Sequence, residues 1–223
     1  MNNVPISQLK NEVRQLFENR WSIAIKICLG FYLLNILFSL INTPGQITDN
    51  DVTANLINQY TGTNGVILFL FNAIITFATV GVQYSFLDWL RTNQPVNNPI
   101  ASGLQTFSRK YFTSTLAIYL IKMILTFLWG LLFLIPGIIK SYSYSMAFFI
   151  YKDRIQSNPD ISFLDCITES RKLMNGHKMD LFLLQLSFIG WYLLGLITFG
   201  IGLIWVIPYK DAANANFYRH LVE

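Results

Sequence analysis

Residues 131–151 read LLFLIPGIIKSYSYSMAFFIY. The run is long enough to cross a bilayer, yet Pro136, Lys140 and the serines 141, 143 and 145 sit near its centre. A lysine at mid-depth in hydrocarbon costs about 2.5–3.5 kcal/mol even on a lenient scale, so Lys140 is expected to face protein or a wet cavity rather than acyl chains. The stretch therefore reads as a lining segment inside a helical membrane protein.

The rest of the chain agrees. Of its 223 residues, 53% are hydrophobic and 13% charged, and the mean hydropathy is +0.42. That composition excludes an ordinary soluble domain. The apolar residues come in continuous runs instead of alternating, which argues for helices over a transmembrane β-barrel. The net charge of +4 does not point to nucleic acid, because the sixteen Lys and Arg mostly flank apolar runs, as membrane orientation requires. With two cysteines, Cys28 in an apolar run and Cys166 in a polar connection, and two histidines, neither a structural disulfide nor a zinc site follows. No cofactor is implied.

Residues 1–20 place Ile6, Leu9, Val13, Leu16 and Phe17 at helical spacing opposite charged residues, predicting an amphipathic helix on the membrane surface. Trp21 to Ile41 exceeds a signal-peptide core and reads as a retained first span. The connection to Asn64 carries Asp49 and Asp51 but no Lys or Arg, which puts it outside. A second span covers 66–90, with Asp88 and Arg91 at its inner end; Lys26 in the first span reads as snorkelling to the interface. Asn98-Pro99 opens a second interfacial helix through Ile100, Leu104 and Phe107.

An internal repeat fixes the remaining boundaries. Leu131-Leu132-Phe133-Leu134-Ile135-Pro136 aligns with Leu203-Ile204-Trp205-Val206-Ile207-Pro208, and Gly130 with Gly202. A last span starting at Pro208 would hold Lys210, Asp211, Asn214, Asn216 and Arg219 almost at once, so the outer turn must come earlier, at Gly200-Ile201-Gly202, with Trp129-Gly130 as its counterpart. The spans become 111–128, 131–151, 180–198 and 201–219. Residues 152–179, carrying Lys152, Arg154, Arg171, Lys172 and Lys178, form a cytosolic connection. After Asn158-Pro159-Asp160 and Ser162, Phe163, Leu164, Ile167 and Met174 mark an amphipathic helix that Asn175-Gly176 ends. The expected architecture is all-α: one membrane domain over residues 1–223, with six spans as three hairpins, each preceded by an interfacial helix and arranged as parallel repeats.

At about 1.5 Å per residue, Lys122 lies roughly 16 Å from the inner end of its span, and Lys140, Lys210 and Asp211 roughly 14–15 Å below the outer turns. All four fall near the middle of an approximately 30 Å core. Pro136 and Pro208 free the carbonyls of Leu132 and Ile204 and are expected to kink their helices. Gly137, Ser141 and Ser145 form a small-residue ridge, and Tyr142 and Tyr144 add hydroxyls. Three lysines against one aspartate invite an anionic ligand group, a lipid phosphate or the carboxylate of a lipid or membrane-active peptide; polar residues that only hold helices together are the competing reading. Enzyme signatures are mostly absent: no Gly-x-Ser-x-Gly, no His-Glu-x-x-His and no phosphate-binding glycine loop. His177 and His220 read as interfacial, and adjacent Lys140 and Ser141 point about 100° apart, unlike a nucleophile and its base. The segment Arg171, Lys172, His177, Lys178 offers an alternative role, recruitment of a protein partner on the cytosolic face.

The runs PGIIKSYSYSMAFFI (136–150), SRKLMNGHK (170–178), LSFIGWYLL (186–194) and GIGLIWVIPY (200–209), followed by Phe217-Tyr218, carry a resemblance. From about residue 7 to 221 the chain resembles domain-of-unknown-function family 975, six-span membrane proteins of Gram-positive bacteria. That family is distantly similar to the membrane domain of some glycerophosphodiester phosphodiesterases, whose catalytic work belongs to a separate soluble domain. The resemblance implies a multi-pass protein of the bacterial plasma membrane, both termini cytosolic, with no assigned catalytic residues. The acidic Asp-Asn-Pro type turn usual in that family is replaced here by Lys152-Asp153-Arg154 and a longer Ser157-Asn158-Pro159-Asp160.

Overall fold

In a computed structural model, residues 4–41, 62–158 and 161–223 are described. The expected outer connection with Asp49 and Asp51 and the Pro159-Asp160 turn lie outside the described residues. The described residues are helical, in this order: α1 Ile6–Phe17, α2 Trp21–Ile41, α3 Gly62–Thr92, α4 Pro99–Gly103, α5 Phe112–Leu132, α6 Leu134–Ser143, α7 Ala147–Ser157, α8 Phe163–Leu173, α9 Lys178–Leu186, α10 Ile189–Ile197 and α11 Leu203–Val222. A short 3-10 turn, Gln105–Phe107, follows α4.

Among the described residues, four stretches are long and apolar enough to cross a membrane: Trp21–Leu40, Gly65–Thr92, Phe112–Leu132 and Lys178–Ile197. The chain is a multi-pass membrane protein by this measure. The other two expected spans take different forms. Residues 131–151 divide among the end of α5, α6 and the start of α7, and of 201–219 all but the first two residues lie in α11, whose distal half from Asp211 to Tyr218 is buried in protein.

The two ends of the bundle differ. Near α1, α4 and α8 the interior is aromatic: Phe17 packs against Trp21, Phe86 and Trp89 with ring centroids 5.0, 5.5 and 5.5 Å apart, and Phe149 stacks on Tyr218 at 4.9 Å. Toward the other end the helices expose Leu37, Leu40, Leu70, Phe127, Leu131 and Ile197, an apolar flank that water would not tolerate and acyl chains would solvate. The apolar face of α1 is covered by protein: Leu9, Val13 and Phe17 are buried against the bundle instead of resting on a membrane surface.

Two further points correct the expected boundaries. The turn after α5 comes at Phe133, not Trp129-Gly130: Phe133 is extended (φ −160°, ψ 143°), so α5 runs to Leu132. Pro136 is then the third residue of α6. Its missing N–H falls in a first turn that needs none, so it begins a helix where a kink in a longer one was expected. Pro208, its repeat partner, does lie inside α11. The turn before α11 is where the glycines put it, with Phe199 at φ 54° and Gly200 at φ 87°.

Close backbone approach is bought with glycine at several crossings. An added Cβ on Gly137 would sit 2.9 Å from the Cα of Gly130, and one on Gly202 would sit 2.9 Å from the Cα of Gly195, so both repeat hairpins close on a glycine pair. At the polar end α4 wedges between α2 and α3. A Cβ on Gly81 would lie 2.3 Å from the Gly103 carbonyl oxygen, and one on Gly103 would lie 2.0 Å from that of Ile27. Thr106 Oγ1 donates to the Phe77 carbonyl at 2.6 Å, and Ser85 and Ser102 hydroxyls meet at 2.7 Å. Gly81→Ala is expected to destabilise the detergent-solubilised protein by about 1–3 kcal/mol or more, because backbone must move. Gly190→Ala, where an added Cβ meets nothing within 4 Å, should leave the melting temperature unchanged or raised. Equal melting of the two variants would contradict the wedge.

Candidate functional site

Ser and Tyr are only moderate helix formers, and the SYSYS run is where the chain stops being helical: α6 ends at Ser143 and α7 begins at Ala147. A break exposes backbone groups that lipid cannot serve. Buried Ser170 of α8 serves them: its hydroxyl donates to the Ser143 carbonyl at 2.8 Å and accepts from the Met146 N–H at 3.1 Å. The serines of the expected ridge bond back to the chain just before them, Ser141 to the Ile138 carbonyl (2.7 Å) and Ser145 to that of Tyr142 (2.8 Å), and Ser143 does the same to that of Ile139 (2.9 Å). Tyr144 is buried at the break, while the Tyr142 hydroxyl donates to Gln185 Oε1 at 3.1 Å.

The four charges expected at mid-membrane do not meet in one site. Lys122 Nζ of α5 stands 4.5 Å from the Phe148 ring centroid, and Lys140 Nζ of α6 stands 4.3 Å from that of Trp129. Such contacts favour a desolvated ammonium without neutralising it. Lys210 and Asp211 come together on α11, Nζ to Oδ1 at 3.6 Å, and Gln83 Nε2 of α3 donates to the same Oδ1 at 3.2 Å. Asp211 is 2% exposed. The Ile204 carbonyl freed by Pro208 accepts from the Tyr32 hydroxyl of α2 at 2.9 Å. Counted along the helices from the turns at Phe133 and Gly202, Lys122 lies roughly 16 Å away, Lys140 about 10 Å and Lys210 about 12 Å. Lys122 and Lys140 share the α5–α6 hairpin, whereas Lys210 and Asp211 belong to the α2, α3, α10 and α11 group. Among the described residues no group of three His, Cys, Asp or Glu side chains is placed to hold a metal ion.

At the polar end Arg171 and Lys172 are exposed and His177 lies 3.1 Å from Asp180 Oδ2, ahead of half-buried Lys178. Lys172 helps line an open cleft of about 560 Å³ with Arg91, Asp153, Arg154, Glu169 and Tyr218.

The sequence reading missed the ties that join distant segments here. Lys152 is 3% exposed and donates to Asp88 Oδ2 (2.6 Å) and the Tyr84 carbonyl (2.7 Å). Arg91 grips both carboxylate oxygens of Asp153, at 2.6 and 2.8 Å, and the Tyr218 hydroxyl donates to Asp153 Oδ2 at 2.7 Å. Asp88, at the inner end of the second span, pins α7 to α3. Complementary order was the available signal: Asp88 and Arg91 one turn apart face Lys152-Asp153. Glu12 Oε2 likewise collects His220 Nε2 (2.7 Å), Arg219 Nη2 (2.7 Å) and Asn216 Nδ2 (2.9 Å), fastening α1 to α11. Burial acts to raise the Glu12 carboxyl, but hydrogen bonds from His220, Asn216 and Gln8 overcome it and hold the group below its ordinary value.

With the break, its serine and the charged helix α11 in view, the comparison with known families can be placed. Residues 131–223 match the model of the family described as Protein of unknown function (DUF975). The match spans α6 to α11 and includes Lys140, Ser170, Lys210 and Asp211, while Lys122 precedes it. No curated protein and no solved structure matches the chain.

Two predictions follow from these contacts. Ser170→Ala removes both bonds at the break and should destabilise the protein by about 1–3 kcal/mol, read as a lower melting temperature in detergent; Ser170→Thr should recover part of it. The Glu12 contribution exists above the unfolded carboxylate value, about 4.3, and is lost as pH falls through the lower folded value. Glu12→Gln should therefore melt lower at pH 7 and lose less on acidification than the parent.

Proposed function

We propose that this chain is a non-enzymatic, six-span protein of a bacterial plasma membrane, with both termini cytosolic, that binds or helps move an amphiphile bearing an anionic group. One observation carries the reading. Lys122 and Lys140 share one hairpin on the apolar flank, and among the described residues each meets an aromatic ring and makes no ion pair. Two uncompensated cations at bilayer depth are costly, and an anionic headgroup drawn into the hairpin offsets that cost. Lys210 is already matched by Asp211 and contributes less to the excess charge. The additional crossings are α6 with α7, and α11, whose 20 residues reach about 30 Å. Lys and Arg gathered at the end carrying α1, α4 and α8 support the cytosolic assignment of that end.

A second reading, recruitment of a protein partner on the cytosolic face, is favoured by the exposure of Arg171 and Lys172 beside the mixed-charge cleft. The two separate by mutation. For the full chain in dodecyl maltoside, labelled phosphatidylglycerol should bind more tightly than phosphatidylcholine, and the Lys122→Met/Lys140→Met variant should lose at least about tenfold in affinity, or 1.4 kcal/mol, while melting normally. Charge reversal at Arg171 and Lys172 should leave lipid binding unchanged. Undiminished lipid binding by the double-Met variant would overturn the site.

A further inference from the structure

The pair on α11 is built differently from the cations of the α5–α6 hairpin. Asp211 is almost wholly buried, and both of its close contacts, Gln83 Nε2 at 3.2 Å and Lys210 Nζ at 3.6 Å, fall on Oδ1. The lysine stands beyond good hydrogen-bond distance. As sequence neighbours the two side chains leave the helix about 100° apart, so the contact is a reach around the helix, and the Lys210 side chain keeps 29% of its surface exposed against 3% for Asp211. Lys210 keeps a face that another anion can reach, and Asp211 does not. Among the described residues the other titratable groups near Asp211 are Cys28 and Tyr32 of α2, Tyr192 of α10 bonds to Lys210, and none of these supplies a second cation. The Tyr32 hydroxyl is committed to the Ile204 carbonyl.

We propose that Lys210, Asp211 and Gln83 form a proton-coupled anion site: when a lipid phosphate takes Lys210, Asp211 takes up one proton. The exchange balances. Before binding, the Lys210 ammonium faces the Asp211 carboxylate; the phosphodiester arrives with one negative charge and water at the polar end supplies one proton. Afterward the ammonium faces the phosphodiester, and Asp211 is a neutral acid still hydrogen-bonded to Gln83. Without that proton, departure of Lys210 would leave a buried carboxylate served by a single amide, which the low-dielectric interior penalises heavily. Anion and proton therefore enter together with no change in net charge. This deepens the anionic-amphiphile reading and rests on it for the arrival of the phosphate.

The test uses the full chain in dodecyl maltoside with labelled phosphatidylglycerol, whose phosphodiester stays ionised between pH 6 and 8. The parent should lose affinity as pH rises, approaching about tenfold per pH unit for one coupled proton, and a pH-sensitive dye in weakly buffered solution should report uptake of about one proton per lipid bound. Asp211→Asn should abolish the uptake, flatten the pH dependence and bind more tightly than the parent at pH 8. A pH dependence retained in Asp211→Asn assigns it to another group, such as Lys122, and overturns the coupling. Tight binding by the parent with neither pH dependence nor proton uptake also overturns it, while sensitivity to Lys122→Met/Lys140→Met leaves the binding reading standing. No binding by the parent defeats both. Should Asp211→Asn fail to fold, the dye measurement on the parent decides alone.

Discussion

Lipid supplies no hydrogen bonds, and this fold interrupts its helices where water is scarce. Each interruption leaves carbonyl and amide groups that the protein must satisfy from elsewhere. Ser170 reaches from α8 into the gap between α6 and α7. Lys10 of α1 donates to the Ser187 carbonyl between α9 and α10 at 3.2 Å and lies over the Phe188 ring at 4.2 Å. Tyr32 of α2 serves the carbonyl that Pro208 releases. In each case the helper comes from a segment distant in sequence, so the breaks themselves make the helices interdependent.

That dependence explains the polarity of the bundle. The short helices α1, α4 and α8 carry much of the repair chemistry and gather where the aromatic core is densest. Glu12 and Asn216 tie α1 to α11, Thr106 ties the turn after α4 to α3, and Ser170 ties α8 to the α6–α7 break. The opposite half of the long helices has fewer such ties and shows its apolar side chains outward. The bundle is thus fastened at one end and bare at the other.

The intramembrane charges divide by what surrounds them. Aromatic rings hold Lys122 and Lys140 without cancelling their charge, which leaves them available to an anion. A carboxylate, that of Asp211, holds Lys210 at 3.6 Å and offsets its charge.

The sequence by itself determined the helical class, the long apolar helices and most of their limits, because hydrophobic run length and the glycine and Asn-Gly stops are local properties. Gly176, in the left-handed region at φ 89°, and the Phe199-Gly200 turn lie where local reading put them. It also marked Lys122, Lys140, Lys210 and Asp211 as residues that hydrocarbon would not leave unserved. Only the tertiary structure decided which partner each one takes, that Pro136 starts a helix where Pro208 sits inside one, and that Ser170 and Asp88 are structural ties. Those outcomes depend on which helices lie side by side. Periodicity tells a helix which face is apolar but not which neighbour will cover it, and a hydrogen bond across dozens of residues leaves no trace in local spacing.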